Sequence, residues 1–495
     1  MVFRGMSERA ARGAAFIVAG RFVMRVLGLV NTIILARLLA PADFGLVAVG
    51  FMAMQLLQGF SNIGLPQAVI RFRDAGRAEL DTLFTLAIIR GAAVAFILVI
   101  AAPIAARFYG DARIAVVFCA LAVFPIVQGF GNPRFFEFER ELDFSKEFAA
   151  TALTKLAGVA ASITIAVLFR TYLAIIAGFL VGALLQLVLS YALRPHLPRL
   201  TLRSLRKVLG FSGWITGVSF IAALNNKLDA FVLARVIGAA DTGAYYVGFQ
   251  LTELPTTELA EPMSRAIYPG LSALQGDRER MRLAFLRGVA ALGAVAMPAA
   301  FGFAFVAGDL LPLLLGQKWA PAIPVVQWLA PVLALQTILV ATQFYAMAQG
   351  LMRLIFIREL IFFAIRFPIF VWAALAYGLH GAILATAGCG LVHIALNLGV
   401  YARASGAPFW EPFWSARRSF AGVGAMALVL TALPLAVPAL CDAPGLFRLA
   451  TEIALGGGVY IAAQLALWRA EGRPEGVEAF ALGLLQRSVA SLKRA

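Results

Sequence analysis

The chain is poor in cysteine. It has only three, Cys119, Cys389 and Cys441, and none of them belongs to a C-x-x-C motif. This spacing argues against a disulfide framework and against a cysteine-based metal site, because both need paired or clustered thiols. We interpret the three thiols as small packing residues.

Sequence signatures of catalysis are also missing. The chain contains no G-x-S-x-G, no Walker loop and no H-E-x-x-H, and its three histidines lie far apart. We therefore expect neither an enzyme nor a bound cofactor. Without a nucleotide site, transport would have to draw on an ion gradient, the membrane potential or consumption of the product. H⁺ and Na⁺ are both open as coupling ions.

Long polar stretches are scarce because the chain is strongly apolar. Hydrophobic residues make up 61% of its 495 residues and the mean hydropathy is +0.87, which excludes an ordinary soluble protein. Its apolar runs approach the ~20 residues that a helix needs to cross a bilayer. The sequence predicts an all-α polytopic membrane protein with about fourteen transmembrane helices. They are placed at 13–36, 43–65, 82–106, 114–131, 148–169, 173–193, 211–235, 243–264, 284–307, 323–349, 354–376, 382–401, 419–440 and 448–468.

The basic residues indicate how these helices are oriented. The net charge is +16, but Lys and Arg lie in short loops between apolar runs, which argues against nucleic acid as a partner. Loops and ends on the side of the termini carry 29 Lys and Arg residues, and those on the far side carry 7. Because basic loops remain in the cytoplasm, both termini are predicted to be cytoplasmic.

One short sequence occurs twice. ARLLAPADFGLVAVG at 36–50 aligns without a gap with ARVIGAADTGAYYVG at 234–248, and seven of the fifteen positions are identical. The constant offset of 198 residues suggests that one bundle of helices occurs twice, as in many transporters. We expect the repeated motif to form equivalent turns. The matched residues include Arg37 with Arg235, Asp43 with Asp241, Gly45 with Gly243, and Gly50 with Gly248.

The repeat divides the chain into two pseudo-symmetric lobes of six helices. We assign residues 1–193 to an N-terminal lobe and 211–401 to a C-terminal lobe, joined by a basic cytoplasmic linker at 194–210. Residues 402–468 form two extra helices, and 469–495 form a cytoplasmic tail.

Two arginines lie deep inside the first predicted helix. A cation within a span is costly unless it faces water or a partner. Arg21 and Arg25 are four residues apart, and Gly28 and Thr32 continue the same helix face. We predict that both arginines face an aqueous lumen. Snorkelling to the cytoplasm is the alternative, and it suits Arg21 better than Arg25.

Other charged residues within spans have two interpretations each. Arg90 and Lys155 lie within snorkelling reach of the cytoplasmic surface, so a structural and a lumen role are equally open. Lys227 and Asp229 could neutralise each other, but together with Asn225 they indicate a hydrated wall, and Asp229 is a possible coupling or network residue.

Acidic residues in the second lobe are candidates for ion coupling. Glu253 lies close to Pro255, and a helix bent by proline frees backbone carbonyls that can join a carboxylate around a cation. Glu359 and Arg366 lie two turns apart on one face, so an internal charge network and substrate contact are both open. Cations around a cavity would suit an anionic or phosphate-bearing substrate.

Five segments resemble the polysaccharide flippases of the multidrug/oligosaccharidyl-lipid/polysaccharide exporter superfamily, which translocate O-antigen and exopolysaccharide repeat units. The resemblance covers essentially the whole chain in order. The segments are ARLLAPADFGLVAVG at 36–50, NIGLPQAVIRF at 62–72, KLDAFVLARVIGAADTGAYYVG at 227–248, IYPGLSALQGDRERM at 267–281 and PLLLGQKWAPAIPVVQWLAP at 312–331.

The resemblance implies a function. In that family an undecaprenyl-diphosphate-linked oligosaccharide is turned from the cytoplasmic to the periplasmic leaflet of the bacterial inner membrane, through a cationic cavity that opens alternately to each face. It implies a polysaccharide polymerase and glycosyltransferases as possible partners, and we expect a monomer. Ser219 and Ala223 stand at the repeat offsets of the first two arginines, so the cations are not symmetric. The implied lumen cations are Arg21, Arg25, Arg90 and Lys227.

Three other functions compete with this one. A cation-coupled drug exporter of the same superfamily would depend most on a carboxylate such as Glu253 and would move cationic dyes. A flippase for a lipid-linked peptidoglycan precursor would be essential for growth. An integral-membrane glycosyltransferase or polymerase would need a large periplasmic loop or an acidic catalytic pair, and the short far-side loops argue against it.

Overall fold

A computed structural model of the chain describes residues 23–60, 77–136, 144–205, 231–256, 276–438 and 445–473, together with a few single positions outside these ranges. All regular secondary structure within these ranges is helical. Eight helical segments of the described part are long and apolar enough to cross a membrane. The predicted class, an all-α polytopic membrane protein, is confirmed.

The helices are numbered α1 to α14 in chain order. The first seven are α1 (23–38), α2 (Pro41–Phe60), α3 (Arg77–Tyr109), α4 (Arg113–Gly129), α5 (Phe144–Phe169), α6 (Leu173–Leu193) and α7 (231–236). The others are α8 (Gly238–Glu253), α9 (Arg278–Leu315), α10 (Ile323–Ile338, continued by Val340–Ala348), α11 (352–377), α12 (379–405), α13 (Arg417–Ala436) and α14 (Gly445–Ala470). Short helical turns occur at Pro133–Phe136, Gln317–Ala322 and Glu411–Ser415.

The predicted break between α11 and α12 is present and is shorter than predicted. The two helices, 352–377 and 379–405, are separated only at Gly378, which has φ 59° and ψ −138°. Glycine adopts a positive φ without a steric penalty, so one residue is enough to kink the chain there. Helix α9 also begins earlier than predicted, because Asp277 caps it by accepting a hydrogen bond from the backbone N–H of Arg280 at 3.1 Å.

Contacts divide the chain into two compact units, residues 1–246 and 247–495. The core of the first unit includes Leu46 of α2, Leu98 of α3 and Leu121 of α4. Helix α7 contributes to this unit, since Phe231 packs against that core. The predicted division into lobes at 194–210 stays a prediction.

Aromatic rings fill the core of the second unit. Phe285 of α9, Tyr345 of α10 and Tyr401 of α12 are almost fully buried. The ring centroid of Phe285 lies 5.2 Å from that of Tyr345 and 4.8 Å from that of Tyr401. Helices α13 and α14 attach to this unit through α9, where the hydroxyl of Tyr460 donates to the carbonyl oxygen of Ala294 at 3.0 Å.

The first part of the predicted linker is extended and attached to α3. Residues 194–202 lack regular structure, so their backbone N–H groups need partners from elsewhere. Side chains near the start of α3 supply them. The hydrogen bonds join Arg199 N–H to Asp81 Oδ1 (3.1 Å), Thr201 N–H to Thr85 Oγ1 (2.9 Å) and Ser204 N–H to Thr82 Oγ1 (3.3 Å).

The two copies of the repeated sequence have the same local structure and pack against each other within the first unit. In both, one helix ends and the next begins within three residues, at 38 and 41 and at 236 and 238. A Cβ atom added to Gly45 would overlap the carbonyl oxygen of Ala239, and one added to Gly243 would overlap that of Pro41. Ala239 and Gly243 are the 198-residue counterparts of Pro41 and Gly45. The crossing of α2 and α8 therefore has twofold symmetry, and both glycines are needed for it.

We expect Gly45→Leu to destabilise the first unit, because no side chain fits between the two backbones. Overpacking a core site typically costs ~1–3 kcal/mol of stability. We expect a cost at the upper end of this range, because the atoms that the new side chain would meet belong to the backbone of Ala239. Thermal unfolding in detergent measures the effect. Gly308→Leu in α9 is the control, since nothing lies within 4 Å of a Cβ at Gly308. Equal melting temperatures for the two variants would contradict the crossing.

Candidate functional site

Arg25 lies on a different face of α1 from its exposed apolar residues. Val23, Val26 and Val30 are 55%, 42% and 42% exposed, and their spacing of three and four residues places them on one face. Arg25 follows Val23 by two residues, and Gly28 follows Val26 by two, which is about 200° around a helix of 3.6 residues per turn. An exposed apolar face is the surface that lipid covers. Arg25 therefore points away from the lipid-facing side of α1.

Helix α5 runs parallel to α1 and packs against the face next to Arg25. Ser162 Oγ donates a hydrogen bond to Asn31 Oδ1 at 2.8 Å. Closer to the N-terminal ends of the two helices, a Cβ atom added to Gly28 would lie 3.6 Å from the Nζ atom of Lys155. The structure thus brings Lys155 beside the arginine stripe, on the side of α5 that faces α1.

Arg90 lies on another kind of surface. It is partly buried, and no acidic residue of the described part pairs with it. Ile97 and Ile104, seven and fourteen residues further along α3, continue its face and are 46% and 64% exposed. An apolar exposed stripe favours lipid and the snorkelling interpretation for this residue. Its role as a lumen cation stays a prediction.

Two of the predicted lumen cations, Arg21 and Lys227, lie outside the described residues. Of the polar residues near Lys227, Asn225 is buried at 4% exposure and Asp229 is partly buried. Glu253 is the last residue of α8, and its carbonyl oxygen accepts from the Thr256 hydroxyl at 3.3 Å. The predicted roles of Asp229 and Glu253 in coupling stay predictions.

The charged residues of the repeated motif lie at helix ends. Asp43 Oδ2 accepts a hydrogen bond from the backbone N–H of Ala40 at 2.9 Å, and Asp241 occupies the first turn of α8. Carboxylates are favourable at helix N-termini because of the exposed N–H groups and the helix dipole. Arg37 and Arg235 are exposed, so the motif forms turns rather than a binding surface in the span.

A buried polar cluster joins α11 and α12. Arg358 is 5% exposed, forms an ion pair with Glu359 and donates to Asn397 Oδ1 at 2.6 Å. One turn away, the ring of Phe362 stacks on that of His393 with centroids 4.4 Å apart. These contacts support the network interpretation of Glu359.

The second member of the predicted network, Arg366, lies two turns further along α11. Its guanidinium carbon is 5.8 Å from the centroid of the Phe362 ring, which is within the range of a cation–π interaction. Contact of Arg366 or Glu359 with substrate stays a prediction.

Sequence reasoning missed Arg358, His393 and Asn397. Arg358 was assigned to the cytoplasmic surface because it lies near the start of its helix. A signal was present nevertheless: His393 and Asn397 are four residues apart, so they share one face of a predicted span.

The fold is that of known membrane transporters. It superposes on the lipid II flippase MurJ, in an inward closed conformation, with a TM-score of 0.74 and 13% identity, over 92% of this chain and 99% of that one. A multidrug resistance transporter of the MATE family, in an inward-facing conformation, gives a TM-score of 0.60 and 17% identity over 79% of this chain and 98% of that one. These similarities define the class of fold, that of the MurJ and MATE transporters.

The chain belongs to the family described as polysaccharide biosynthesis protein, whose sequence profile matches residues 34–324. It is 26% identical to the lipopolysaccharide biosynthesis protein WzxC of Escherichia coli K12 over 337 residues, which are 67% of this chain and 68% of WzxC. It is 25% identical to the succinoglycan biosynthesis transport protein ExoT of Rhizobium meliloti over 300 residues, 60% of each. The family that the sequence motifs resemble is confirmed.

Because Arg25 faces away from lipid, a cysteine at this position should react with a water-soluble thiol reagent in intact membranes. The background is a variant in which all three native cysteines are replaced by alanine. Val26→Cys is the matched control, one residue away on the exposed apolar face, and it should be protected. Labelling is measured by a gel shift. Equal protection of Arg25→Cys and Val26→Cys would mean that water does not reach the arginine face.

Arg358→Leu should destabilise the second unit, because it removes the hydrogen bond from the buried guanidinium group to Asn397 Oδ1 and the ion pair with Glu359. Glu359 is 28% exposed, so we expect a cost of about 1.5–3 kcal/mol, that of a hydrogen bond to a charged group. Arg353→Leu, at an exposed position one turn earlier on the same helix, controls for the loss of an arginine. Thermal unfolding compares the two. A melting temperature for Arg358→Leu no lower than that of Arg353→Leu would show that the cluster contributes nothing to stability.

Proposed function

We propose that the protein moves an undecaprenyl-diphosphate-linked oligosaccharide repeat unit from the cytoplasmic to the periplasmic leaflet, by alternating access, for the synthesis of a surface polysaccharide. The diphosphate binds the cations of α1 while the lipid tail stays in the bilayer. Arg21 and Arg25 are the principal contacts, and Arg90 and Lys227 are further candidates.

The position of Arg25 carries this proposal. About 20 Å of helix separates it from the end of α1 at residue 38, given a rise of 1.5 Å per residue, so it lies well inside a hydrocarbon core that is ~30 Å thick. A cation at such depth, turned away from lipid, is best explained by water and an anionic ligand on that side. A guanidinium group offers paired N–H donors that match two phosphate oxygens.

Family membership favours a saccharide as the other part of the substrate. The relatives WzxC and ExoT are named for the biosynthesis of lipopolysaccharide and succinoglycan, and ExoT is named as a transport protein. A polar oligosaccharide crosses a membrane only when its hydroxyl groups are kept hydrated or hydrogen-bonded. Transport rather than enzymatic chemistry therefore fits this chain.

The proposed transport function also suggests where the protein lies in the cell and which proteins it works with. The protein is an inner-membrane protein with both termini in the cytoplasm, as its basic loops indicate. It receives substrate from glycosyltransferases and passes it to a polysaccharide polymerase. Because both repeats lie in one chain, it works as a monomer. An H⁺ or Na⁺ gradient supplies the energy, and Asp229 and Glu253 are the candidate coupling carboxylates.

Reconstitution tests the proposal directly. Arg25→Ala should lower the rate at which proteoliposomes flip an undecaprenyl-diphosphate-linked oligosaccharide by ~10-fold or more, since a hydrogen bond between charged groups contributes about 1.5–3 kcal/mol. Arg25→Lys should retain part of the activity because the charge remains. Arg107→Ala controls for loss of an exposed arginine near the end of α3.

Other results would favour a competing function. A wild-type flipping rate in Arg25→Ala would remove this residue from the mechanism. Efflux of cationic dyes that depends on Glu253 would indicate a drug exporter instead. Flipping of a lipid-linked peptidoglycan precursor, but not of an oligosaccharide carrier, would indicate the precursor flippase.

A further inference from the structure

Contacts at three levels join α5 to α1 and to Gly20, which precedes it. At the first, a Cβ atom added to Gly20 would collide with the ring of Phe148. At the second, Gly28 lies against Lys155, with 3.6 Å to Nζ and 3.7 Å to Cε from an added Cβ atom. At the third, Asn31 accepts a hydrogen bond from Ser162. The α5 members follow each other at intervals of seven residues, so they occupy one face of this helix.

Lys155 is exposed and lies on the face of α5 that packs against α1 at Gly28. Leu153 is 49% exposed and lies two residues, or about 200°, from Lys155 around the helix, whereas Leu156, 50% exposed, is one residue, or about 100°, away. The end of the lysine side chain lies against α1 at Gly28, with Nζ 3.6 Å and Cε 3.7 Å from the position of an added Cβ atom. A lysine that only snorkelled would not need to contact the neighbouring helix at this level.

Lys155 and Arg25 are at similar depth. Fourteen residues separate Lys155 from the end of α5, and thirteen separate Arg25 from the end of α1, which corresponds to about 20 Å in each case. Gly28, against which the ammonium lies, is three residues from Arg25 and on the same stripe. No acidic residue of the described part forms an ion pair with Lys155. The ammonium group therefore adds positive charge to the arginine face of α1.

We propose that Lys155 is a further binding residue for the diphosphate, and that it makes the site selective for a diphosphate over a monophosphate. This inference rests on the proposed function. The guanidinium group of Arg25 holds one phosphate through paired hydrogen bonds, and the ammonium group, as a point charge, binds the other. Gly28 is a positioning residue, because the ammonium group lies against it and a side chain larger than that of alanine would displace the ammonium group.

Two binding probes separate this role from a structural one. Undecaprenyl diphosphate and undecaprenyl monophosphate share the lipid tail and differ by one phosphate group. Affinities are measured in nanodiscs for wild type, Lys155→Ala and Lys155→Arg. Lys155→Ala should weaken diphosphate binding by ~10-fold or more, as expected for a lost charge-assisted hydrogen bond. Monophosphate binding should change much less, and Lys155→Arg should keep the preference for the diphosphate.

Substitutions of Gly28 test the geometry. Gly28→Ala should bind normally, because its Cβ atom would be at ordinary contact distance from the lysine. Gly28→Leu should displace the ammonium group and reduce diphosphate selectivity as Lys155→Ala does. The double variant Gly28→Leu/Lys155→Ala should be no worse than either single variant, since both remove the same interaction.

Lys146→Ala is the matched control on α5. The Lys146 ammonium lies 5.8 Å from the centroid of the Phe138 ring, about two and a half turns closer to the start of the helix, so its loss should leave selectivity unchanged. Equal losses for both probes in Lys155→Ala, or unchanged selectivity, would overturn the proposal for Lys155.

The two proposals fail in different ways. If Arg25→Ala lost transport and diphosphate binding while Lys155→Ala kept both, only the role of Lys155 would be wrong. If Arg25→Ala also bound and flipped the diphosphate-linked oligosaccharide normally, the proposed function of the α1 cations would be wrong.

Discussion

The central constraint on this protein is that a cation inside a bilayer must be kept away from lipid. The free-energy cost of exposing arginine or lysine to hydrocarbon is at least about 2.5–3.5 kcal/mol for each residue. Helix α1 meets this constraint by separating its faces, since valines at positions 23, 26 and 30 take the exposed side and Arg25 lies about 200° away. Helix α5 has the same separation, with Leu153 on one side and Lys155 on the other.

The repeated motif constrains the backbone and leaves the binding chemistry free to differ. Gly45 and Gly243 allow α2 and α8 to cross at backbone contact in a symmetric manner, which few residue types would permit. By contrast, Ser219 and Ala223 stand where the first copy has two arginines. The two copies therefore differ in charge at equivalent positions, and the arginine pair occurs only in the first.

Much of the fold could be predicted from the sequence, because the hydrophobic effect acts on local composition. Apolar runs of membrane length, short turns and basic loops can all be recognised in the linear sequence. The break between α11 and α12 is shorter than the sequence predicts because a single glycine at φ 59° is enough to form it, and backbone torsion angles cannot be read from composition.

The site could be predicted only in part. The depth of Arg25 and its stripe were evident from spacing. Lys155 was ambiguous, since its distance from the membrane surface is the same whether it snorkels or contacts a neighbouring helix, and only the packed structure shows its contact with Gly28. Arg358 was overlooked because its partner Asn397 lies 39 residues away, and such long-range pairs require the packed structure.

The most direct test of the account is a cryo-EM map of the protein in nanodiscs with a bound undecaprenyl-diphosphate-linked oligosaccharide. We expect density for the diphosphate against Arg25 and Lys155, at the level of Gly28, with the valine face of α1 covered by lipid. Diphosphate density elsewhere, with acyl chains packed against the Arg25 face, would contradict it.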